Sequence, residues 1–211
     1  MVLAAFLSDS INLVPEGLPA QWYGTICAAR LGWTTTMRGL SGSGFVALGV
    51  EGKCFADVVQ ADIIAHAPDV VVVEGGLNDY GQDKALDATV SAAEVLFVRL
   101  HTALPSAAIY FFGMYLPHTP SAVINGSVNT FGSEVAFSQG LRAAAANAGL
   151  FVIDPGSWIT GTGNVTAPAG NGNADAYIRG TGDPHPTQAG AAYVGTRLAF
   201  AIRPPATGLD Y

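Results

Sequence analysis

The sequence predicts an α/β protein, a three-layer α/β/α sandwich with helices on both faces of a parallel sheet. Short apolar runs rich in Val, Ile and Phe recur four times and a β-branched run, 33–39, adds a fifth strand, with segments of helical apolar spacing between them. Strands that alternate with helices imply right-handed crossovers and parallel pairing. The runs are also nearly continuous instead of alternating with polar residues, as expected of strands covered on both faces.

The first strand lies in "VLAAFLSDSI" (Val2 to Ile11), which ends abruptly at the polar turn Ser8-Asp9-Ser10. A Pro-containing loop then leads to a helix from about Pro19 to Leu31. "WTTTMRG" (33–39), with β-branched residues and a glycine stop, is the second strand, and a glycine-rich loop covers 39–52. "FADVVQADIIAHA" (55–67) reads as a helix, and "PDVVVVEGG" (68–76) is the strongest strand of all. From Asp83 to Leu104 the residues Leu86, Val90, Ala93, Phe97 and Leu100 recur on one helical face, and Pro105 follows the end. "AAIYFFGMY" (107–115) is the fourth strand, Phe131 to Ala148 an alanine-rich helix stopped by Gly149, and "LFVID" (150–154) the fifth strand. A loop of Gly, Asn and Pro fills 155–186, and a last helix from Thr187 to Ile202 puts Ala191, Val194 and Leu198 on one face. Five strands fit a flavodoxin-like order better than a barrel. One domain is expected over 1–203, with 204–211 as a tail or linker.

Composition narrows the function. The chain has 211 residues, 50% of them hydrophobic, enough for one sizeable core. A net charge of −7 with only 9 Lys and Arg argues against nucleic acid or an anionic membrane as partner. No apolar run reaches the length of a membrane span. The start "MVLAAFL" lacks a basic region and meets Asp9 at once, so no signal peptide is read there; a mature secreted form or a virion-associated module stays open. Cys27 and Cys54 make no framework and no metal spacing; a single disulfide is one option, a buried thiol at Cys27 the plainer one.

In open α/β sheets, ligands gather beyond the carboxyl ends of the strands. Four places qualify: Ser10, "RGLSGSG" (38–44), "GGLND" (75–79) and "GDPHPT" (182–187). Each has an ordinary reading by itself: a turn serine, a glycine turn, an Asx-turn or helix cap at Asn78 and Asp79, a loop histidine. Gly42 to Ala47 fits the dinucleotide fingerprint G-x-G-x-x-A, but it follows the second strand and runs on into glycine-broken loop. "GVEGK" (49–53) is no phosphate loop either, because Ala47 stands where its first glycine belongs. No cofactor or metal is expected. His66 and His101 lie near helix ends, where a solvated histidine is the usual case.

Taken in order, "SDS", "LSGSG", "GLND" and "GDPHP" resemble the blocks of the SGNH (GDSL-like) hydrolase family, over nearly the whole chain. The resemblance implies a serine esterase with Ser10 as nucleophile, His185 as base, and an oxyanion hole from the Ser10 and Gly42 N–H groups and the Asn78 side chain. Two positions depart from the family. Ser8 replaces the first glycine of the G-D-S block, and the acid that usually lies three residues before the histidine is missing, since Gly182 is there. Asp183, two before, is the candidate acid; Asp154, Asp175 or a Ser-His dyad are alternatives. The expected substrates are short-chain esters, among them acetyl groups on glycans. Trp22, Tyr23, Tyr80 and Tyr115 are candidates for stacking on sugar rings, and His118 for lining the cleft. The long loop 161–184 also resembles segments of SGNH-like modules in phage tail and actinobacterial secreted proteins. The competing reading is a non-catalytic carbohydrate-binding or adhesion module with a degraded triad.

Overall fold

The computed structural model describes residues 1–13, 18–114, 133–180 and 183–202. The chain runs β1 (Leu3–Asp9), α1 (Tyr23–Leu31), β2 (Thr34–Leu40), α2 (Phe55–Asp62), β3 (Val70–Glu74), α3 (Leu77–Gly81), α4 (Leu86–Ala103), β4 (Ala108–Phe112), α5 (Glu134–Asn147), β5 (Phe151–Ile153), α6 (Ala174–Tyr177), β6 (Ile178–Gly180), β7 (Asp183–Pro186) and α7 (Gln188–Ala201). Five strands form one parallel sheet in the order β2-β1-β3-β4-β5. This is the flavodoxin-like order expected from the sequence.

Strand character follows position in the sheet. β3 and β4 are buried along their whole length, and their runs VVVVE and AIYFF are correspondingly apolar. The edges differ: β2 carries Thr34, Thr35, Thr36 and Arg38, and β5 leaves Phe151 exposed. On one face Phe6, Val72 and Phe112 pack with Tyr23 and Cys27 of α1 and Val194 and Leu198 of α7. On the other, Leu7, Val73 and Phe111 meet Phe55 of α2, Phe97 of α4 and Leu141 of α5. Burying such side chains contributes roughly 1.5–3 kcal/mol each before entropy is counted. Among the described residues, no helix is long and apolar enough to cross a membrane.

Several elements depart from the sequence expectation. The helix expected over 19–31 is a short 3₁₀ turn, Pro19–Gln21, then α1, separated by Trp22 in extended backbone. The one expected over 55–67 stops at Asp62, and a 3₁₀ turn, Ile64–His66, finishes the segment. α5 begins at Glu134, where the Ser133 hydroxyl caps it by accepting the Ala136 N–H at 3.1 Å. The largest difference lies in 155–186, expected to be loop. It contains α6 and an antiparallel hairpin of β6 and β7, too short to show an apolar period. Cys27 and Cys54 are free thiols, and burial pushes the Cys27 thiol up to about 12. Cys54 instead sits at the N-terminus of α2, its N–H donating to Asp57 Oδ2 at 2.8 Å.

β1 crosses to β2 through α1 on one face, whereas β3 crosses to β4 through α4 on the other. The switch in direction falls between β1 and β3. A crevice is expected beyond their carboxyl ends, where the Ser10 and Asn78 turns emerge.

Candidate active site

Ser10 opens the 3₁₀ turn Ser10–Leu13, directly after β1. Two hydrogen bonds fix that turn: Ile11 N–H donates to Asp9 Oδ1 at 2.7 Å, and Gly24 N–H donates to Asn12 Oδ1 at 2.9 Å. The serine hydroxyl is thus held by the central sheet on one side and the start of α1 on the other.

His185 arrives from β7, and its Nε2 lies 2.9 Å from Ser10 Oγ, a contact between residues 175 positions apart. Its Nδ1 is 2.6 Å from Asp183 Oδ1, which also accepts the His185 backbone N–H at 3.1 Å. The two-residue spacing has a simple cause. In a strand, residues i and i+2 project to the same face, so an acid two before the histidine reaches the ring from β7. Asp183 pairs with Gly180 across the hairpin, and Thr187 caps α7 immediately after it. Partial burial pushes the Asp183 carboxyl up, but the hydrogen bonds from His185, its charge and that of Arg179 hold it below the usual carboxylate range. Arg179 Nε stands 3.6 Å from Asp183 Oδ2.

Neither alternative acid reaches the histidine. Asp154 pairs with Arg142 and accepts the Gly156 N–H at 3.0 Å. Asp175 accepts the Ala169 and Gly170 N–H groups at 2.9 and 2.7 Å, closing its own loop.

The glycine-rich loop is held from two sides. Phe45 packs its ring on Phe55, Phe97 and Phe111, with centroids 5.4, 5.6 and 6.3 Å away, anchoring the loop in the core. Asp79 accepts three consecutive N–H groups, from Phe45, Val46 and Ala47, at 2.8–2.9 Å. Burial raises the Asp79 carboxyl, and these N–H groups oppose the rise. A Cβ at Gly44 would stand 2.0 Å from Asp79 Oδ2, so the loop closes on the carboxylate only with glycine there. Gly42 has a φ of +76°, and its carbonyl accepts Gln82 Nε2 at 2.6 Å, fixing the plane of that peptide. The loop opens no helix before Phe55, which removes the dinucleotide reading.

Asp79→Ala strands the three N–H groups at once. It is expected to cost about 3 kcal/mol or more, read as a lower urea midpoint at unchanged slope; a loss below about 1 kcal/mol would show the clamp to be dispensable.

Asn78, at the start of α3, donates from Nδ2 to Asp9 Oδ2 at 3.1 Å and to the Ser43 carbonyl at 2.9 Å. Ser10, Gly42, Asn78 and His185 line one cavity of about 180 Å³, with Ile11, Ser41, Leu77 and Pro184 as its other described walls. Tyr80 is not among these; its ring packs edge-on against Phe137 at 5.7 Å. Tyr23 is buried against Phe112, so the expectation that it stacks on a sugar is corrected: no ligand reaches it. Tyr115 and His118 lie outside the described residues.

Sequence reasoning missed three contributors. Asp79 was read as a helix cap, yet its carboxylate is the loop clamp. Asp9 had a signal, a charged residue at the end of a wholly apolar strand. Gln82 had none, because only the fold brings it to Gly42.

A family model described as GDSL-like Lipase/Acylhydrolase family matches residues 8–193. No curated protein matches the chain. Among solved structures, the chain is similar to a protein from Lactobacillus plantarum, at 24% identity over 93% of this chain and 94% of that one, with a TM-score of 0.71. It is also similar to an acetyl xylan esterase, at 17% identity over 96% of this chain and 100% of that one, with a TM-score of 0.70. A family two carbohydrate esterase from Clostridium thermocellum, in complex with cellohexaose, shares 16% identity over 94% of this chain and 62% of that one, with a TM-score of 0.67. At these identities, the structural likenesses show the fold.

Proposed function

We infer the function from one premise: the chain belongs to the GDSL-like lipase/acylhydrolase family, whose model spans residues 8–193. Membership supports esterase or acylhydrolase activity. The finer reading proposed here is a serine esterase that works through an acyl-serine intermediate on short-chain esters, including O-acetyl groups of carbohydrates. The observation that carries it is the unbroken relay from Ser10 Oγ to His185 Nε2 at 2.9 Å and from Nδ1 to Asp183 Oδ1 at 2.6 Å.

A serine hydroxyl needs a base within hydrogen-bond reach to attack at neutral pH. In the proposed mechanism Ser10 Oγ attacks the ester carbonyl carbon while its proton passes to His185 Nε2. Asp183 accepts Nδ1–H, which selects the tautomer with a free Nε2 lone pair and stabilises the imidazolium that forms. The carbonyl π electrons move to oxygen, and the Ser10 and Gly42 N–H groups receive that charge; Asn78 Nδ2 joins them by sharing or releasing one of its two N–H bonds, to Asp9 or to the Ser43 carbonyl. Collapse of the tetrahedral intermediate expels the alcohol, which takes the proton from Nε2. Water then enters by the same route, releases the acid and regenerates Ser10. No step requires a cofactor.

Among the described residues, about 180 Å³ lined by Ile11, Leu77 and Pro184 gives room for a small acyl group such as acetyl. Of the similar structures, one is described as a family two carbohydrate esterase and one as an acetyl xylan esterase, which fits an acetylated glycan as the alcohol side. The non-catalytic reading drew on the displaced acid, and the Asp183–His185 contact weakens it.

The experiment is turnover of p-nitrophenyl acetate, butyrate and octanoate beside acetic acid release from acetylated xylan. A fluorophosphonate probe locates the nucleophile by mass spectrometry of the labelled peptide. Expected are hydrolysis that falls at least about tenfold from acetate to octanoate and an adduct on Ser10. A protein without turnover that takes no label would remove the esterase reading; preference for octanoate would remove the short-chain part.

A further inference from the structure

The loop that carries Gly42 begins with a tight turn, Leu40 to Ser43, closed by the Ser43 N–H donating to the Leu40 carbonyl at 3.1 Å. Gly42, its third residue, has a φ of +76°, and Ser41 has a negative φ. That combination is a type II turn. Types I and II share their ends and differ by about half a rotation of the central peptide, here Ser41–Gly42. Glycine accepts either sign of φ, so Gly42 does not by itself choose between them. The choice bears on the chemistry, because this peptide carries the Gly42 N–H. A trans peptide points its carbonyl and its N–H in opposite directions, so the rotation would put the Ser41 carbonyl where the N–H was.

The group that holds the central peptide lies outside the turn. Val50 N–H donates to the Ser41 carbonyl at 3.0 Å. The Gly42 N–H thereby points away from Val50; it meets no acceptor among the described residues, and Gly42 lines the cavity with Ser10. The next peptide is pinned at both ends, by Gln82 Nε2 on the Gly42 carbonyl and by the Leu40 carbonyl on the Ser43 N–H, so rotation is confined to Ser41–Gly42. Val50 is itself fixed by a second turn, Gly49 to Gly52. The Gly52 N–H closes it on the Gly49 carbonyl at 2.9 Å, and the Gly49 N–H anchors it to the Lys53 carbonyl at 3.0 Å. That Lys53 carbonyl also accepts the Ser43 hydroxyl at 2.7 Å, which ties the two turns together. The Val50 side chain is 82% exposed, so only its main chain takes part.

We propose that Val50 is a positioning residue: by holding the Ser41 carbonyl, its main-chain N–H keeps the turn in the type II form and presents the Gly42 N–H, not the Ser41 carbonyl, to the developing oxyanion. The inference rests on the esterase reading and adds to it a residue outside all four sequence blocks.

The test measures kcat and KM on p-nitrophenyl acetate for wild type, Val50→Ala and Val50→Pro, with Ser10→Ala as the baseline. Val50 is the second residue of its turn and has a negative φ, a place that suits proline. Proline therefore fits the turn, removes the N–H and sets a ring carbon against the Ser41 carbonyl. Losing one oxyanion donor typically costs on the order of 10²–10³-fold in turnover. Val50→Pro is expected to lose at least about tenfold in kcat with KM within about threefold, because only the transition state is affected. Val50→Ala keeps the N–H and stays within about threefold of wild type in both constants. A boronic acid that mimics the tetrahedral intermediate weakens in parallel with kcat in Val50→Pro. Three results each overturn the proposal: a folded Val50→Pro with wild-type kcat, a fall in kcat with the boronic acid bound as in wild type, and Val50→Ala as impaired as Val50→Pro. Should Val50→Pro not fold, the α-hydroxy analogue of valine at position 50 decides, since it replaces only the N–H by oxygen. A loss of at least about tenfold in kcat is expected of it, and wild-type kcat overturns the proposal. A wild type no faster than Ser10→Ala overturns the esterase reading and this inference with it; an active wild type beside an indifferent Val50→Pro overturns the inference alone.

Discussion

Ser10→Ala is expected to lower kcat/KM for p-nitrophenyl acetate by on the order of 10⁴–10⁶-fold. In the proposed mechanism the hydroxyl is the atom that bonds to carbon, and no neighbour substitutes for it: His185 can activate water, but water is not held where Ser10 Oγ is. The substitution should spare the fold. Ser10 is only half-buried, its hydroxyl contacts His185, and the turn is held by the Asp9 carboxylate and the Asn12 side chain instead. A far-ultraviolet spectrum and melting temperature close to wild type, together with loss of fluorophosphonate labelling, complete the expected result. A residual rate within tenfold of wild type would place the chemistry elsewhere.

The second large effect is expected at Asp183. Asp183→Asn keeps the shape but replaces an acceptor by a group able to donate to Nδ1, which stabilises the tautomer carrying its proton on Nε2. His185 would then have no lone pair for the Ser10 proton. In a triad whose acid is deeply buried, such a change costs about 10⁴-fold. Here the Asp183 side chain is 40% exposed, so solvent competes for the imidazole and softens the effect; we expect about 10²–10³-fold in kcat. Asp183→Ala should be the milder variant, since water can enter and accept Nδ1–H. Steady-state kinetics of both variants at one pH checks this order. Asp183→Asn within about threefold of wild type would show that Ser10 and His185 work as a dyad.

The centre of the sheet was legible because β1, β3 and β4 are buried on both faces and so carry few polar residues, as in "VVVVE". The order of Ser10, Gly42, Asn78 and His185 along the chain was legible too, since each follows a strand or precedes a helix at the same rim. The hairpin around His185 was not. Ile178–Gly180 and Asp183–Pro186 are too short and too polar to show a period, and without the strand the spacing of Asp183 from His185 looked like a defect. Once the segment is extended, two residues is the spacing that puts acid and base on one side. Gln82 was out of reach for a different reason: it acts across a distance of 40 residues on a peptide carbonyl, and no pattern in the sequence encodes that.

The contact between Ser10 and His185 joins the first strand to the last hairpin. A chain still being synthesised therefore exposes its alcohol long before its imidazole exists, and on the proposed mechanism it would be inert toward esters in the meantime. In the proposed mechanism hydrolysis begins only when the β6–β7 hairpin has docked, which would make catalytic turnover a reporter of completed folding.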